Sequence, residues 1–241
     1  MPSKAQKPAK QTERNRPERE AAIDEIYERI YVAILEHRLQ PGTKLGEEKM
    51  AEIFNVSRAR IREVLARLAH EQIVELYPQR GAYVAKPTRE QARDVFEARR
   101  LIEPAVLRRL IATITPDKIN RLRQHAELEA DAKRRNDKRA VIRLSGEFHT
   151  LVAELAGNSA LARSMRELCV LTCLTIFLYD APTAQSCRHD EHSLIIDALA
   201  KKDGARAEKL MIEHLNHIES SLQLEAQDGE VELATIFGMN A

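Results

Sequence analysis

Two arginines and three histidines carry most of the chemistry that this sequence offers. Arg58 and Arg62 stand one helical turn apart, beside an apolar stripe of Ile61, Val64, Leu65 and Leu68, so both guanidinium groups reach outward together. At the amino-terminal end of a helix laid in a major groove, such a pair can fork onto guanine or clamp phosphates. A well-made base contact of that kind discriminates by ~1–3 kcal/mol. The stretch from Ser57 to Arg67 holds four arginines against one acid, Glu63. His149 precedes a break at Gly157-Asn158, His192 begins another apolar stretch, and His214 lies near the end of the next. Neutral imidazoles from three helices of a bundle can converge on one divalent ion, since nitrogen donors suit Zn, Ni, Fe or Cu. Lone helical histidines are more often surface or core residues, so the spacing permits a metal without requiring one.

These side chains need elements to position them. The chain has 241 residues with 44% hydrophobic and 31% charged side chains, a balance that allows two compact domains. Aromatics make up only 4% and Trp is absent, with few Gly and Pro, which favours helices over a sandwich or barrel. Net charge is +1, so a nucleic-acid partner must be argued from local charge. No run approaches the ~18 apolar residues of a membrane span. Three cysteines, Cys169, Cys173 and Cys187, suggest free thiols and a reducing cytoplasm, with Cys169 and Cys173 buried on an apolar helix.

Residues 1–19, rich in Lys, Arg, Gln and Pro, read as a disordered basic arm. Ile23, Ile26, Tyr27, Ile30 and Ile34 then recur at helical spacing, and Pro41-Gly42 ends that run. A short helix with Met50, Ala51 and Phe54 inward leads to the turn Asn55-Val56. Ser57 caps the next helix, which is predicted to run to about Glu71. Ile73 to Tyr77 and Ala82 to Ala85 read as two strands joined by a turn over Pro78 to Gly81. Three helices and a hairpin make a winged helix-turn-helix over residues 20–87. Beyond Pro87-Thr88, residues 88–226 read as about six helices of an antiparallel bundle, with Val95, Ile102, Val106 and Leu110, then Ile119, Leu122 and Leu128, as apolar stripes. Breaks fall at Pro116, Asn136, Gly157-Asn158, Pro182 and Asp203-Gly204, and residues 227–241 form a tail. The fold class is therefore mainly α, an amino-terminal winged helix-turn-helix followed by an all-helical bundle.

Residues 23–85 resemble the DNA-binding domain of the GntR family of regulators. The stretches that carry the resemblance are AILEHRLQPGTKL, FNVSRARIREVLARLAHEQIVE and the wing QRGAYV. The resemblance implies a homodimer on palindromic operator DNA. Arg58 and Arg62 fall at the principal DNA contacts, Ser57 opens their helix, and Arg80 and Gly81 sit at the wing tip near the minor groove. Three positions depart from the pattern. Arg60 stands where the family commonly has Pro, Ala59 where it has Thr, and Glu48 where many members have a contacting Arg. Arg60 is expected to add a contact, and the operator to be unusual.

Residues 95–220 resemble the FCD ligand-binding domain of the FadR-like branch, through FEARRLIEP, GEFHTLVAELAGN and DEHSLIIDALAKKDGARAEKLMIEHL. In that domain the positions of His149, His192 and His214 hold a divalent transition metal, Zn or Ni first among them, with an Asp one turn before the first histidine. Ser145 occupies that position here, and a hydroxyl is a far weaker ligand. Glu147 is expected to point elsewhere. The resemblance also directs Arg99 at an effector carboxylate, which implies a small organic acid as effector and a repressor relieved by it. The plainer reading of Arg99 is a surface pair with Glu103, worth a few tenths of a kcal/mol.

Two rival functions stand beside a cytoplasmic regulator. A metal-dependent hydrolase needs only the three histidines and an open position, yet the chain has no HExxH, nucleophile elbow, P-loop or Gly-rich dinucleotide loop, so no enzyme is expected. A winged-helix module for protein contact predicts no DNA affinity at low salt, which Arg58, Arg62 and the wing argue against.

Overall fold

The computed structural model describes residues 16–180 and 191–225. Most of the expected basic arm, Pro182, Cys187 and the tail at 227–241 lie outside the described residues.

The amino-terminal part opens with helix α1, Arg16–Leu35. It begins before Glu20, so residues 16–19, expected in the arm, are helical. Ile23, Ile26, Tyr27, Ile30 and Ile34 are all buried, as their spacing requires. Strand β1, Lys44–Leu45, is too short for alternation to reveal, and no expectation covered it. Helices α2, Glu47–Phe54, and α3, Arg58–His70, meet at Asn55, which takes the left-handed conformation at φ 51° and reverses the chain. Ser57 caps α3 by accepting the Arg60 backbone N–H at 3.4 Å. Strands β2, Val74–Tyr77, and β3, Gly81–Val84, form an antiparallel hairpin with Tyr77 opposite Gly81, and β1 pairs on the outer edge of β3. Gly81 has φ +96°, which only glycine adopts without strain, so the wing tip needs it.

Six further helices follow among the described residues. They are α4, Arg89–Ala112; α5, Pro116–Arg134; α6, Lys138–Leu155; α7, Ser159–Tyr179; α8, Glu191–Ala200; and α9, Gly204–Ser220. Their starts are written locally. Thr88 forms a capping box with Gln91, and Thr115, Asp137, Asn158 and Asp203 each accept a backbone N–H of the first turn. Val106, Leu107, Leu110, Phe148, Val152, Ile195, Met211 and Leu215 meet in one apolar core. The α5 stripe departs from its expectation: Leu128 is 58% exposed and Glu129 beside it is buried. The helix is turned so that the carboxylate, and not the leucine, faces the bundle.

The two parts pack directly. Buried Ile30 and Ile34 of α1 share an apolar cluster with Val170, Cys173 and Leu174 of α7. Polar contacts border it: Arg166 Nη1 to Glu28 at 3.2 Å, Arg143 Nε to Glu36 at 3.0 Å, and His37 Nε2 to the Cys173 carbonyl at 2.9 Å.

Candidate functional site

On α3, Ile61, Val64, Leu65 and Leu68 are buried, which leaves Arg58 and Arg62 on the open side with 57% and 61% of their side chains exposed. Both lean on Glu47 at the start of α2: Arg62 Nε donates to it at 2.7 Å and Arg58 Nη2 lies 3.7 Å away. Sequence reasoning missed Glu47, because its partners come from a different helix. Arg60 is half-buried and set about 200° round the helix from its neighbours, so it is not brought into their patch. Between α3 and the wing runs a groove of about 480 Å³ lined by Glu47, Arg62, Ala66, Tyr77, Gln79 and Gly81. Arg80 stacks over the Tyr77 ring at 5.6 Å, and Tyr77 meets Tyr83 edge to face at 5.5 Å. These contacts stiffen the wing beside α3.

Inside the bundle, α6, α8 and α9 bring His149, His192 and His214 together, all buried. His214 Nε2 lies 3.2 Å from His149 Nε2 and 3.3 Å from His192 Nε2. Each Nδ1 is taken by a carboxylate: Glu103 at 2.6 Å from His149, Glu129 at 2.8 Å from His192, and Glu191 at 2.7 Å from His214. A carboxylate accepts from Nδ1–H and so leaves Nε2 as a bare lone pair. Three lone pairs then face one another with no proton between them, an arrangement that a cation relieves. Donors on tetrahedral bonds of ~2.0–2.1 Å stand about 3.3–3.4 Å apart, close to the spacing found. The donor set therefore fits a divalent transition metal.

Burial favours the neutral form of His149 and His214. Burial pushes the His149 imidazole down to about 3 and that of His214 to about 4, against the upward pull of Glu103 and Glu191. Burial alone would raise Glu103, yet Arg99 and His149 outweigh it and hold the carboxyl at about 2. Glu129 is held at about 2 by His192 and Lys133 against the same penalty. Phe148 stacks on His192 at 4.0 Å and walls off the cluster.

Arg99 is not the surface residue of the plainer reading. It is 2% exposed, and its Nε donates to Glu103 at 2.7 Å while Nη1 donates to Thr172 Oγ1 at 3.1 Å. Its Nη2 has no partner among the described residues. A buried guanidinium nitrogen without an acceptor is costly, and an anion would satisfy it. Arg99, Ser145, His149, Cys169, Thr172 and Cys173 line a cavity of about 20 Å³, so Arg99 and the position expected of Ser145 share one site with a histidine of the cluster. Glu103 joins the two halves, with one oxygen on Arg99 and the other on His149. Glu147 points elsewhere, to Arg143 at 2.9 Å. Cys169 and Cys173 are buried without a disulfide, and burial raises the Cys169 thiol to about 11. The three carboxylates behind the histidines were not anticipated. A signal existed only for Glu103, one turn from Arg99.

Two family models match the chain: "Bacterial regulatory proteins, gntR family" over residues 22–84 and "FCD domain" over residues 94–217. The HTH-type transcriptional repressor RspR of Escherichia coli (strain K12) is 30% identical over 200 residues, covering 83% of this chain and 88% of that protein. The HTH-type transcriptional regulator LutR of Bacillus subtilis (strain 168) is 28% identical over 210 residues, covering 76% of this chain and 93% of the relative. Among solved structures, E. coli McbR/YncC superposes with a TM-score of 0.71 at 18% identity, covering 81% of this chain and 93% of the other, a likeness of fold.

Proposed function

Because this chain belongs to the GntR family of bacterial regulators and carries that family's FCD domain, we propose that it is a repressor whose grip on a palindromic operator is set by a small organic acid bound beside a metal ion. Its curated relatives are transcription regulators, and binding rather than turnover is its role. No helix among the described residues is long and apolar enough to cross a membrane, and we place its work in the cytoplasm, where the DNA is.

In this reading residues 20–87 read DNA and residues 88–226 sense the effector. Arg58 and Arg62 enter the major groove, Ser57 fixes the start of their helix, Arg80 and Gly81 approach the adjacent minor groove, and a phosphate backbone follows the channel between helix and wing. Arg60 meets the phosphate backbone from its own side of the helix. His149, His192 and His214 hold the metal, which supplies a Lewis-acidic position for an oxygen of the effector. The Ser145 hydroxyl replaces a carboxylate there, so affinity for Zn or Ni is lower than an aspartate would confer. Arg99 takes the effector carboxylate through its unpaired nitrogen.

The cavity carries the mechanism. At about 20 Å³ it holds roughly one water. A small acid enters only if α6 and α7 move apart, and those helices hold Glu36 and His37 at the end of α1. The effector thus favours a different placing of the DNA-binding part, and operator affinity changes by its preference for one state. The single observation behind this is the orphaned nitrogen of Arg99, a residue that lines the same cavity as His149.

A homodimer completes the reading, since a palindrome asks for two recognition helices related by a two-fold axis. The test is selection of duplexes from a random pool, followed by a thermal-shift screen of small organic acids with and without zinc or nickel. A palindromic consensus, and an acid whose stabilisation needs the metal, are expected. No enrichment of any sequence would remove the DNA half of the proposal, and no acid response would remove the sensing half.

A further inference from the structure

We infer that a metal ion reaches the histidine cluster through the cleft between α5 and α8, and that Lys133 is the gate, its ammonium lying on the Glu129 carboxylate that an incoming ion takes first. The inference rests on the metal reading above and says how that site fills and empties.

The three rings are nearly closed off: His149 and His214 are 2% exposed and His192 is 6% exposed, so an ion needs a path to them. His149 borders the cavity of about 20 Å³, which holds roughly one water. His192 borders something larger. With Ser193 of α8 and Ala126, Glu129, Ala130 and Lys133 of α5, it lines a cleft of about 290 Å³. A divalent ion with about six waters fills roughly 180 Å³ at ~30 Å³ per water, so it enters this cleft still hydrated. Phe148 covers one face of the His192 ring, and Glu129 of the cleft meets its Nδ1 at 2.8 Å.

The second oxygen distinguishes Glu129 from the other two carboxylates behind the histidines. Glu103 gives its second oxygen to Arg99, a buried guanidinium that Thr172 also holds. Glu191 gives its own to His217 at 3.0 Å, a ring on the same helix as His214. Glu129 has Lys133 Nζ at 2.8 Å from Oε1, and that side chain is 18% exposed. An ammonium on a flexible four-carbon stem swings into solvent at little cost, which neither of the other two donors can do. Its departure bares a carboxylate oxygen on the wall of the cleft. Carboxylate oxygens bind zinc at ~2.0–2.2 Å, so Glu129 holds the ion while it sheds water and passes it on to His192. Arg134 also lines the cleft but is paired with Glu127 at 2.8 Å, which leaves Glu129 to Lys133.

A gate lies on the path in both directions and changes uptake and release alike. A nearby charge acts otherwise: removing a cation beside the site speeds zinc uptake and slows its release. The full chain, Lys133→Met and Ala130→Leu are stripped with chelator and compared by stopped-flow zinc uptake and by release into excess chelator, with circular dichroism to establish folding. In Lys133→Met, which keeps the stem and loses the ammonium, uptake and release should both accelerate by about tenfold. In Ala130→Leu, which narrows the cleft away from every ligand, both should slow by about tenfold while zinc affinity stays within about threefold. Faster uptake with slower release in Lys133→Met, or rates equal to the wild type in Ala130→Leu, overturns the gate while the metal site stands. Should Lys133→Met fail to fold, Ala130→Leu decides alone. A wild-type chain that takes up no zinc overturns the metal reading and the gate together.

Discussion

His37 Nε2 donates to the backbone carbonyl of Cys173 at 2.9 Å, and the side chain of that same cysteine lines the Arg99 cavity. One residue of α7 thus lines that cavity and meets the amino-terminal part with its carbonyl. The His37 ring also meets Phe177 edge to face at 4.9 Å. Its neighbour Glu36 reaches Arg143 on α6, on the other side of the cavity. Occupancy of the cavity can therefore be felt at the end of α1 without a long chain of intermediates.

Replacing His37 should separate binding from response. In His37→Ala, operator affinity should stay within about threefold of the wild type, while the change that a saturating organic acid from the thermal-shift screen causes in that affinity falls by at least half. Fluorescence anisotropy of metal-loaded protein with and without the acid measures both. An acid-induced change of full size in the variant would count against this route.

Stability without metal should depend on pH with a definite sign. His149 and His214 titrate near 3 and 4 when folded and near the ordinary 6.5 when unfolded, so below 6.5 the unfolded chain binds more protons. Their contribution is complete above 6.5 and is lost as pH falls toward those folded values. Glu103, at about 2, loses its own contribution only below the ordinary carboxyl range and leaves the upper window to the histidines. The urea midpoint of chelator-treated protein should therefore drop between pH 7 and pH 5. A flat midpoint would contradict neutral, buried imidazoles.

Removing one nitrogen donor should remove the metal. His192→Ala is expected to lower bound zinc or nickel to a small fraction of the wild-type level in protein purified without chelators or nickel resin, and to leave basal operator binding unchanged. Metal content equal to the wild type would mean that the histidine cluster is not the binding site.

Arg99→Lys tests the anion. Lysine keeps the charge beside Glu103, which a neutral residue would leave buried and unpaired at a cost of about 3–5 kcal/mol. It lacks the fork that reaches Glu103, Thr172 and the cavity at once. The variant should retain metal and lose the thermal shift produced by organic acids. Equal shifts in both proteins would show that the acid binds elsewhere.

Much of this architecture was legible before the structure, and for local reasons. Ser57 announces the start of α3 because capping needs only neighbouring residues, Thr88 and Asp203 fall at the expected linker and break, and the stripe Ile61, Val64, Leu65 and Leu68 fixes which side of α3 stays open. What the sequence concealed depends on how helices face one another. Leu128 fits an apolar stripe by spacing, yet Glu129 turns inward because His192 on α8 waits there. Glu191 precedes His192 in the chain but bonds His214, a pairing set by the α8–α9 contact. Arg99 and Glu103 form the expected helical pair, but only packing against α7 shows it to be buried and one nitrogen short.

The most direct measurement is the titration of Arg62→Ala against a duplex selected by the wild-type protein, beside a random duplex of equal length at the same salt. Loss of roughly tenfold or more on the selected duplex, with little change on the random one and an unchanged melting curve, is the predicted result. Superimposable titration curves for variant and wild type would contradict the placing of α3 in the major groove.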